Sequence, residues 1–385
     1  MSLQPRNQSL IILAAGGTGG HIFPAEALAR KLTERGHRLA LLTDTRTHAY
    51  NGVLGSLDTH FVYSRYSWSL SFLSNLMESG LTLSRIFRAY RIIKMLAPKL
   101  VIGFGGYPSF PTVLAARLNR VKAIIHEQNA VIGRANKLLA PFSDLVATSY
   151  LETQGLSKDV DKVIHTGNPV RLEMNEFRES RYKAPSNSEI IKILVIGGSQ
   201  GANFLDNTIP EVFSKMPEAL ISRIQLTQQC RPENLSKIRL QVSKYPIDAK
   251  VESFFLNIGA LMAEAHLVIA RAGASTLSEI AVIGRPALLI PYPHATNNHQ
   301  YENALQFSLE GGAEIVKEEN CNVNKLATKI TELLLNKQKL EIMAQASRNS
   351  GRPNASNSLA DIAESIVSKN QDNDLIKAHF KRDNK

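Results

Sequence analysis

One pattern occurs twice in this chain, each time at the end of an apolar run. Leu13-Ala14-Ala15-Gly16-Gly17-Thr18-Gly19-Gly20 and Leu194-Val195-Ile196-Gly197-Gly198-Ser199-Gln200-Gly201 share L-x-x-G-G-(S/T)-x-G. A short apolar run that stops in glycines and passes into an amphipathic stretch reads as a buried strand, a tight turn and a helix start. Glycines there let the backbone pass close to a ligand, and N–H groups at a helix start suit phosphate. The plainer alternative is two tight turns with no ligand. Further short apolar runs follow each copy: residues 39–43, 100–104, 122–126 and 145–148 after the first, residues 224–227, 267–270 and 287–290 after the second. Strands alternating with helices predict an α/β chain of two Rossmann-like, doubly wound parallel-sheet domains facing a cleft. A length of 385 residues suits two domains at roughly 100–200 residues each. Pro24 just inside its start and Gly36 just past its end predict a helix over 24–35. The charged stretch 171–189, with Pro185 and several serines, is expected to be a linker.

Neither glycine loop is a dinucleotide fingerprint, because G-x-G-x-x-G begun at Gly17 would need glycine where Ile22 stands. There is no G-x-x-x-x-G-K-(S/T) either, which excludes a P-loop. Asp44 ends the second run, where a nicotinamide enzyme would hold ribose, but without the fingerprint it reads as the start of a turn. A nicotinamide oxidoreductase therefore fits poorly.

His21 follows the first glycine loop and is expected at a helix N-terminus, where the helix dipole disfavours the imidazolium. It is a candidate general base for a hydroxyl; the alternative is a histidine that only hydrogen-bonds the loop. Phe104-Gly105-Gly106-Tyr107-Pro108-Ser109 and His126-Glu127-Gln128-Asn129 end two other strands. Ligand crevices lie at the carboxyl ends of parallel strands, so both clusters are expected near His21. Arg171, at the end of Asn168-Pro169-Val170-Arg171, is suited to clamp phosphate oxygens or is a solvated charge. Gly273-Ala274-Ser275-Thr276-Leu277-Ser278-Glu279 offers turn N–H groups to a diphosphate and a carboxylate to ribose hydroxyls. Thr276-x-x-Glu279 also matches a capping box, in which Glu279 would serve only its own helix. The amides and imidazoles of the loop from His294 to Gln300 suit sugar hydroxyls.

Asp159 and Asp161 spell D-x-D, but beside Lys158 and Lys162 they read as a surface turn. Cys230 and Cys321 form neither a disulfide framework nor a metal-ligand spacing, so no metal is expected and a reducing cytoplasm fits. No targeting segment is apparent, and no run of about 18 apolar residues is present to span a bilayer. Lys+Arg 45 against Asp+Glu 34 leaves +11, which points to an anionic partner. Without an RNA- or DNA-binding motif that partner is not expected to be nucleic acid. Trp68, Leu70, Phe72, Leu73, Leu76 and Met77 form an apolar, nearly uncharged stretch before Arg85, Arg88, Arg91 and Lys94. Such a patch docks on an anionic membrane surface; its alternative is ordinary core helix.

Together these motifs resemble the MurG family, transferases of GlcNAc from UDP-GlcNAc to undecaprenyl-diphospho-muramoyl-pentapeptide in bacterial peptidoglycan synthesis. The resemblance runs from Ile11 to about Ala363. It implies a GT-B fold, with the lipid-linked acceptor on domain 1–169, rejoined by residues 349–369, and UDP-GlcNAc on domain 170–348. It implies that Gly16, Gly17, Gly105, Gly106 and Tyr107 hold the acceptor diphosphate. By it, Thr18, Gly19, Gly20, Asn129, Arg171, Ser199, Gln200, Gly201, Phe255, Ala274, Ser275, Thr276, Glu279, His299 and Gln300 line the donor, Phe255 standing where backbone would meet uracil. The reaction implied is a single inverting displacement by the acceptor's C4 hydroxyl, giving a β-1,4 link, with His21 as base and Glu127 in reserve. No cofactor is implied. Peripheral association with the cytoplasmic face of the inner membrane is implied, with other cell-wall synthesis and division proteins as partners. The tail 370–385 matches nothing and is expected to be a solvated extension. The nearest rival is a UDP-GlcNAc 2-epimerase or another GT-B transferase, which would share the nucleotide site but not the apolar patch or the His21 loop.

Overall fold

Parallel strands buried on both faces need continuous apolar runs, and the runs above become strands in which every observed pairing is parallel. The computed structural model describes residues 9–44, 52–62, 74–156, 162–198 and 201–368, with backbone alone for 74–81. Trp68, Leu70, Phe72, Leu73, Asp159, Asp161, Ser199, Gln200 and the tail 370–385 lie outside the described residues, as do the side chains of Leu76 and Met77. The chain divides into two units, residues 1–170 with 354–385 and residues 171–353.

The first unit carries β1 (Leu10–Ala14), β2 (Arg38–Thr43), β3 (Asp58–Phe61), β4 (Leu100–Gly103), β5 (Lys122–Glu127), β6 (Leu145–Thr148) and β7 (Val163–His165). Their order is β3-β2-β1-β4-β5-β6-β7. Alternate residues of β1 face opposite layers. Ile11 and Leu13 pack with Leu28 and Leu32 of helix Gly19–Glu34, and Ile12 packs with Ala89 and Ile93 of helix Ser74–Leu96. The second unit carries β8 (Ile191–Ile196), β9 (Ile224–Gln229), β10 (Asp248–Glu252), β11 (Leu267–Ala270), β12 (Ala287–Leu289) and β13 (Ala313–Ile315), ordered β10-β9-β8-β11-β12-β13. Both sheets thus follow the order 3-2-1-4-5-6 of a doubly wound α/β fold, the first with one strand more.

Two local expectations change. The first helix begins at Gly19, not Pro24, so His21 is inside its first turn and Pro24 sits one turn further in. Gly36, at φ +87°, closes it with its N–H on the Thr33 carbonyl. The expected linker is a packed strap on the second unit: residues Leu172–Glu176 are helical, and Met174 and Ala184 are buried. Arg178 and Tyr182 reach the carbonyls of Val282 and His266 at 2.9 Å each. The charge of this stretch pointed to solvent, whereas Arg178 and Tyr182 serve backbone carbonyls.

Helix Ala355–Val367 returns to the first unit. Leu359, Ala360, Ile362 and Ala363 enter the same core as Leu28 and Leu32, and Arg35 pairs with Asp361 at 2.6 Å and Glu364 at 2.8 Å. Leu359 is wholly buried. Leu359→Ala is expected to destabilise the first unit by about 2–5 kcal/mol, read as earlier thermal unfolding and loss of hydrogen-exchange protection in Ala355–Val367. Protection in the second unit should not change.

Candidate functional site

In a sheet of this order the connections from the first and fourth strands leave on opposite sides, so the loops after them part and open a crevice. In the first unit the crevice is bordered by Gly16-Gly17-Thr18 after β1 and Phe104-Gly105-Gly106 after β4. Gly17, Gly105 and Gly106 have φ of +90°, +86° and +72°. A Cβ on Gly105 would lie 3.1 Å from Cε1 of His21, and one on Gly106 would lie 3.0 Å from the Gly16 carbonyl and 3.3 Å from Cδ2 of His21. The imidazole therefore lies against bare backbone, in a slot that any side chain would fill. Thr18, the N-cap, is exposed, and Tyr107 is half exposed in the first turn of helix Gly106–Leu118.

The polar cluster after β5 backs this slot. Nδ1 of His21 is 3.2 Å from Oε1 of Gln128. The Gln128 amide nitrogen is 2.9 Å from the Phe104 carbonyl, 3.1 Å from Nδ1 of His126 and 3.2 Å from the His126 carbonyl. Nε2 of His126 is 3.1 Å from the Gly167 carbonyl. Burial pushes His126 down to about 4; the Gly167 carbonyl opposes the shift and the neighbouring His21 adds to it. Glu127 is buried and turned into its own loop. Its Oε1 accepts from the N–H and side-chain amide of Asn129 at 3.0 and 3.1 Å, and its Oε2 accepts from Gly133 N–H and Asn136 Nδ2 at 2.9 and 2.8 Å. Four donors match a carboxylate's capacity, so Glu127 shapes the loop that carries Asn129.

The second unit repeats the crevice. Gly197-Gly198 follow β8, and Gly198 at φ +81° occupies the place of Gly17 in the shared pattern. A Cβ on either Gly17 or Gly198 would meet nothing within 4 Å, leaving backbone open to an approaching ligand. A Cβ on Gly201 would fall 2.5 Å from Cγ of Arg231. After β11, Gly273 is the N-cap of helix Ala274–Ile283, so Ala274, Ser275 and Thr276 form its first turn. This removes the capping-box alternative: Thr276 lies within the helix and Glu279 one turn beyond it. Glu279 instead accepts two parallel hydrogen bonds from Arg171, 2.8 Å from Nε and 2.9 Å from Nη2. Burial pulls the Arg171 guanidinium down, but the charge and hydrogen bonds of Glu279, with the charge of Glu173, outweigh it and hold Arg171 above its ordinary value. Ser275 and Glu279, four apart, share one helix stripe.

Other expected residues serve local contacts. Gln300 Oε1 accepts from the Tyr292 N–H at 3.0 Å, and His299 Nδ1 donates to the Thr296 carbonyl at 2.7 Å. Phe255 is buried under Lys250, whose Nζ is 5.7 Å from the ring centroid. Thr18, Gly19, Gly20 and Asn129 belong to the first unit, the remaining described donor candidates to the second. Two groups were not singled out for roles from sequence. Gln128 and His126 were part of a polar cluster only. Arg271 is buried, bonded to Ile290 and Pro291 carbonyls and to Glu318 at 2.6 Å, and lies between the rings of Phe204 and Tyr292. A polar residue at the end of an apolar strand or directly after it was the available signal for all three.

Residues 11–148 match the glycosyltransferase family 28 N-terminal domain and residues 192–366 match its C-terminal domain. A Paramagnetospirillum magneticum protein is 44% identical over 93% of this chain and 97% of its own length. A Rhizobium etli protein is 41% identical over 94% and 96%. Both are named UDP-N-acetylglucosamine--N-acetylmuramyl-(pentapeptide) pyrophosphoryl-undecaprenol N-acetylglucosamine transferase. The chain belongs to the MurG family of family 28 glycosyltransferases. The crystal structure of Acinetobacter baumannii MurG superposes with a TM-score of 0.74 at 26% identity, covering 93% of this chain and 99% of that one. A UDP-GlcNAc 2-epimerase from Neisseria meningitidis shares the fold alone, at 15% identity and a TM-score of 0.64.

The Arg171–Glu279 pair yields a stability test. Glu279 is nearly buried and Arg171 about one-fifth exposed, so removing either partner strands the other's charge. Arg171→Ala is expected to cost about 3 kcal/mol, the low end for broken buried pairs, while the Arg171→Met/Glu279→Met double variant recovers most of that loss. Chemical unfolding of the wild type and these two variants checks it.

Proposed function

We infer that this chain transfers N-acetylglucosamine from UDP-GlcNAc to the C4 hydroxyl of the muramoyl-pentapeptide carried on undecaprenyl diphosphate. One observation carries the allotment of substrates. Both substrates bear a diphosphate, and each unit presents a glycine loop and a helix N-terminus at the same switch point of the same sheet. In this reading the first unit holds the lipid-linked diphosphate at Gly16, Gly17, Gly105, Gly106 and Tyr107. The second holds UDP at Gly197–Gly201, the first turn of Ala274–Ile283, Arg171 and Glu279, with Phe255 against the base and His299 and Gln300 toward the sugar.

The acceptor oxygen attacks the anomeric carbon from the face opposite UDP. As the new C–O bond forms, the bond to the diphosphate breaks and UDP leaves with its electron pair. The hydroxyl proton passes to Nε2 of His21. His21 is preferred to Glu127 as base because it borders the glycine slot, whereas both Glu127 oxygens are occupied by N–H donors. First-turn N–H groups and the guanidinium of Arg171 meet the charge that grows on the departing diphosphate. His21→Ala is expected to lower kcat by roughly 10²–10⁴ with UDP-GlcNAc affinity unchanged. Turnover with a short-chain lipid acceptor, followed by UDP release, reads the first, and calorimetric titration reads the second. Unaltered turnover removes His21 from the base role.

Docking on the inner membrane face belongs to the same proposal. Among the described residues no helix is long and apolar enough to cross a membrane. On helix Ser74–Leu96, Leu83, Phe87 and Met95 are 67%, 61% and 69% exposed, beside exposed Arg88, Arg91 and Lys94, while Ala89 and Ile93 turn into the core. Exposed apolar side chains flanked by cations suit an anionic bilayer surface. Replacing Leu83 and Phe87 by serine is expected to release the protein from vesicles containing phosphatidylglycerol and to leave it on the supernatant side after sedimentation. Unchanged co-sedimentation removes this helix from the docking surface.

A further inference from the structure

We propose that Gln128, itself held by His126, is a positioning residue that fixes His21 as the Nδ1–H tautomer and so aims the lone pair of Nε2 at the acceptor hydroxyl. The proposal rests on His21 being the base and adds what makes it one.

The assignment follows from which atoms can donate. The Phe104 and His126 carbonyls are acceptors only, and both lie within 3.2 Å of one end of the Gln128 amide. That end must be the NH2 group; turned the other way, the amide would set oxygen against two carbonyl oxygens. The Gly167 carbonyl likewise demands a donor from His126 Nε2 at 3.1 Å, and a ring that burial keeps neutral then has a bare Nδ1. Nδ1 faces the same amide nitrogen at 3.1 Å, so the two groups agree on one arrangement. Oε1 of Gln128 is left facing His21, and at 3.2 Å it can only accept. The proton on a neutral His21 ring therefore sits on Nδ1, and Nε2 carries the lone pair. Three backbone carbonyls thus set the state of a ring two side chains away. When His21 takes the acceptor's proton, Nδ1–H keeps its bond to Oε1, so nothing reorganises during the step.

The partner is an amide, and its neutrality matters. A carboxylate at this position would set its second oxygen against the Phe104 and His126 carbonyls and would place negative charge beside a loop proposed to bind a diphosphate. Glu127, the adjacent carboxylate, is turned into its own loop.

The test uses the full chain labelled with 15N-histidine, in which two-bond proton–nitrogen correlations identify the protonated nitrogen of each ring. Absence of one ring's signals in His21→Ala assigns His21. In the wild type, above the titration of the ring, His21 is expected to show protonated Nδ1 and bare Nε2. Gln128→Met, which keeps the volume and removes the acceptor, should return the ring to the Nε2–H form favoured by imidazole side chains in water. It should also lower kcat about 10–100-fold while KM for UDP-GlcNAc stays within about twofold. A wild-type ring found as Nε2–H overturns the proposal without any variant, so a Gln128→Met chain that fails to fold does not rescue it. An unchanged tautomer in a folded Gln128→Met protein overturns it as well. A changed tautomer with unchanged kcat overturns the catalytic half, and His21 as base falls with it. An inactive His21→Ala beside a wild-type Nε2–H ring instead keeps the base and discards the positioning role.

Discussion

Everything at the candidate site depends on the parting of two loops where a parallel sheet changes winding direction. Between β1 and β4, and again between β8 and β11, successive connections leave on opposite sides of the sheet, and the crevice that results is lined by backbone. What may line it is decided by sterics. Gly105 and Gly106 have positive φ, and their missing side chains are the space in which His21 lies. Binding a diphosphate through N–H groups and seating a general base are usually separate tasks. In the proposed reaction the same few glycines take on both, in keeping with a first loop denser in glycine than chain reversal alone would need.

Charge is distributed in keeping with anionic substrates on both units. Beside His21, Gln128 is neutral by nature and His126 by burial, while the Glu127 carboxylate is enclosed by four N–H donors. On the second unit the carboxylate proposed for ribose, Glu279, is matched by a bidentate guanidinium. Neither glycine loop faces an uncompensated carboxylate from these residues. The excess of +11 over the whole chain suits the anionic substrates and headgroups proposed for it.

The central strands were legible because burial on both faces requires unbroken apolar runs, as in Ile11–Ala14 and Leu267–Ala270. The four strands not expected, β3, β7, β10 and β13, are the four sheet edges. An edge strand is covered on fewer sides, so Asp58-Thr59-His60-Phe61 or Asp248-Ala249-Lys250-Val251-Glu252 carries no apolar signature. Motif order revealed the family, but not which side chains bond one another. That Arg171 would meet Glu279, 108 positions away, or that Gln128 would reach His21 across 107, depends on packing that spacing does not encode. Composition misjudged the strap after Arg171. A segment rich in arginine looks solvated unless one knows that backbone carbonyls await it.

Those carbonyls explain how Arg171 is held. Arg178 donates to Val282, and the buried Arg285 donates to Ile283 and Gly284 at 3.4 and 3.1 Å and to Ser180 at 3.0 Å. Burial pulls Arg285 down to about 10, with Tyr182 opposing the shift and the charge of Arg348 adding to it. Both arginines gather at the carboxyl end of helix Ala274–Ile283, where its unpaired carbonyls and the negative end of its dipole lie. They complete that end while tying down the strap that begins at Arg171. The other end of the same helix offers its N–H groups beside Gly273. One helix thereby organises both poles of the proposed donor site: its carboxyl end anchors the strap, and its middle, through Glu279, receives the guanidinium the strap delivers. Arg171 enters the site as part of the second unit, so its grip on Glu279 is set by that unit's own packing.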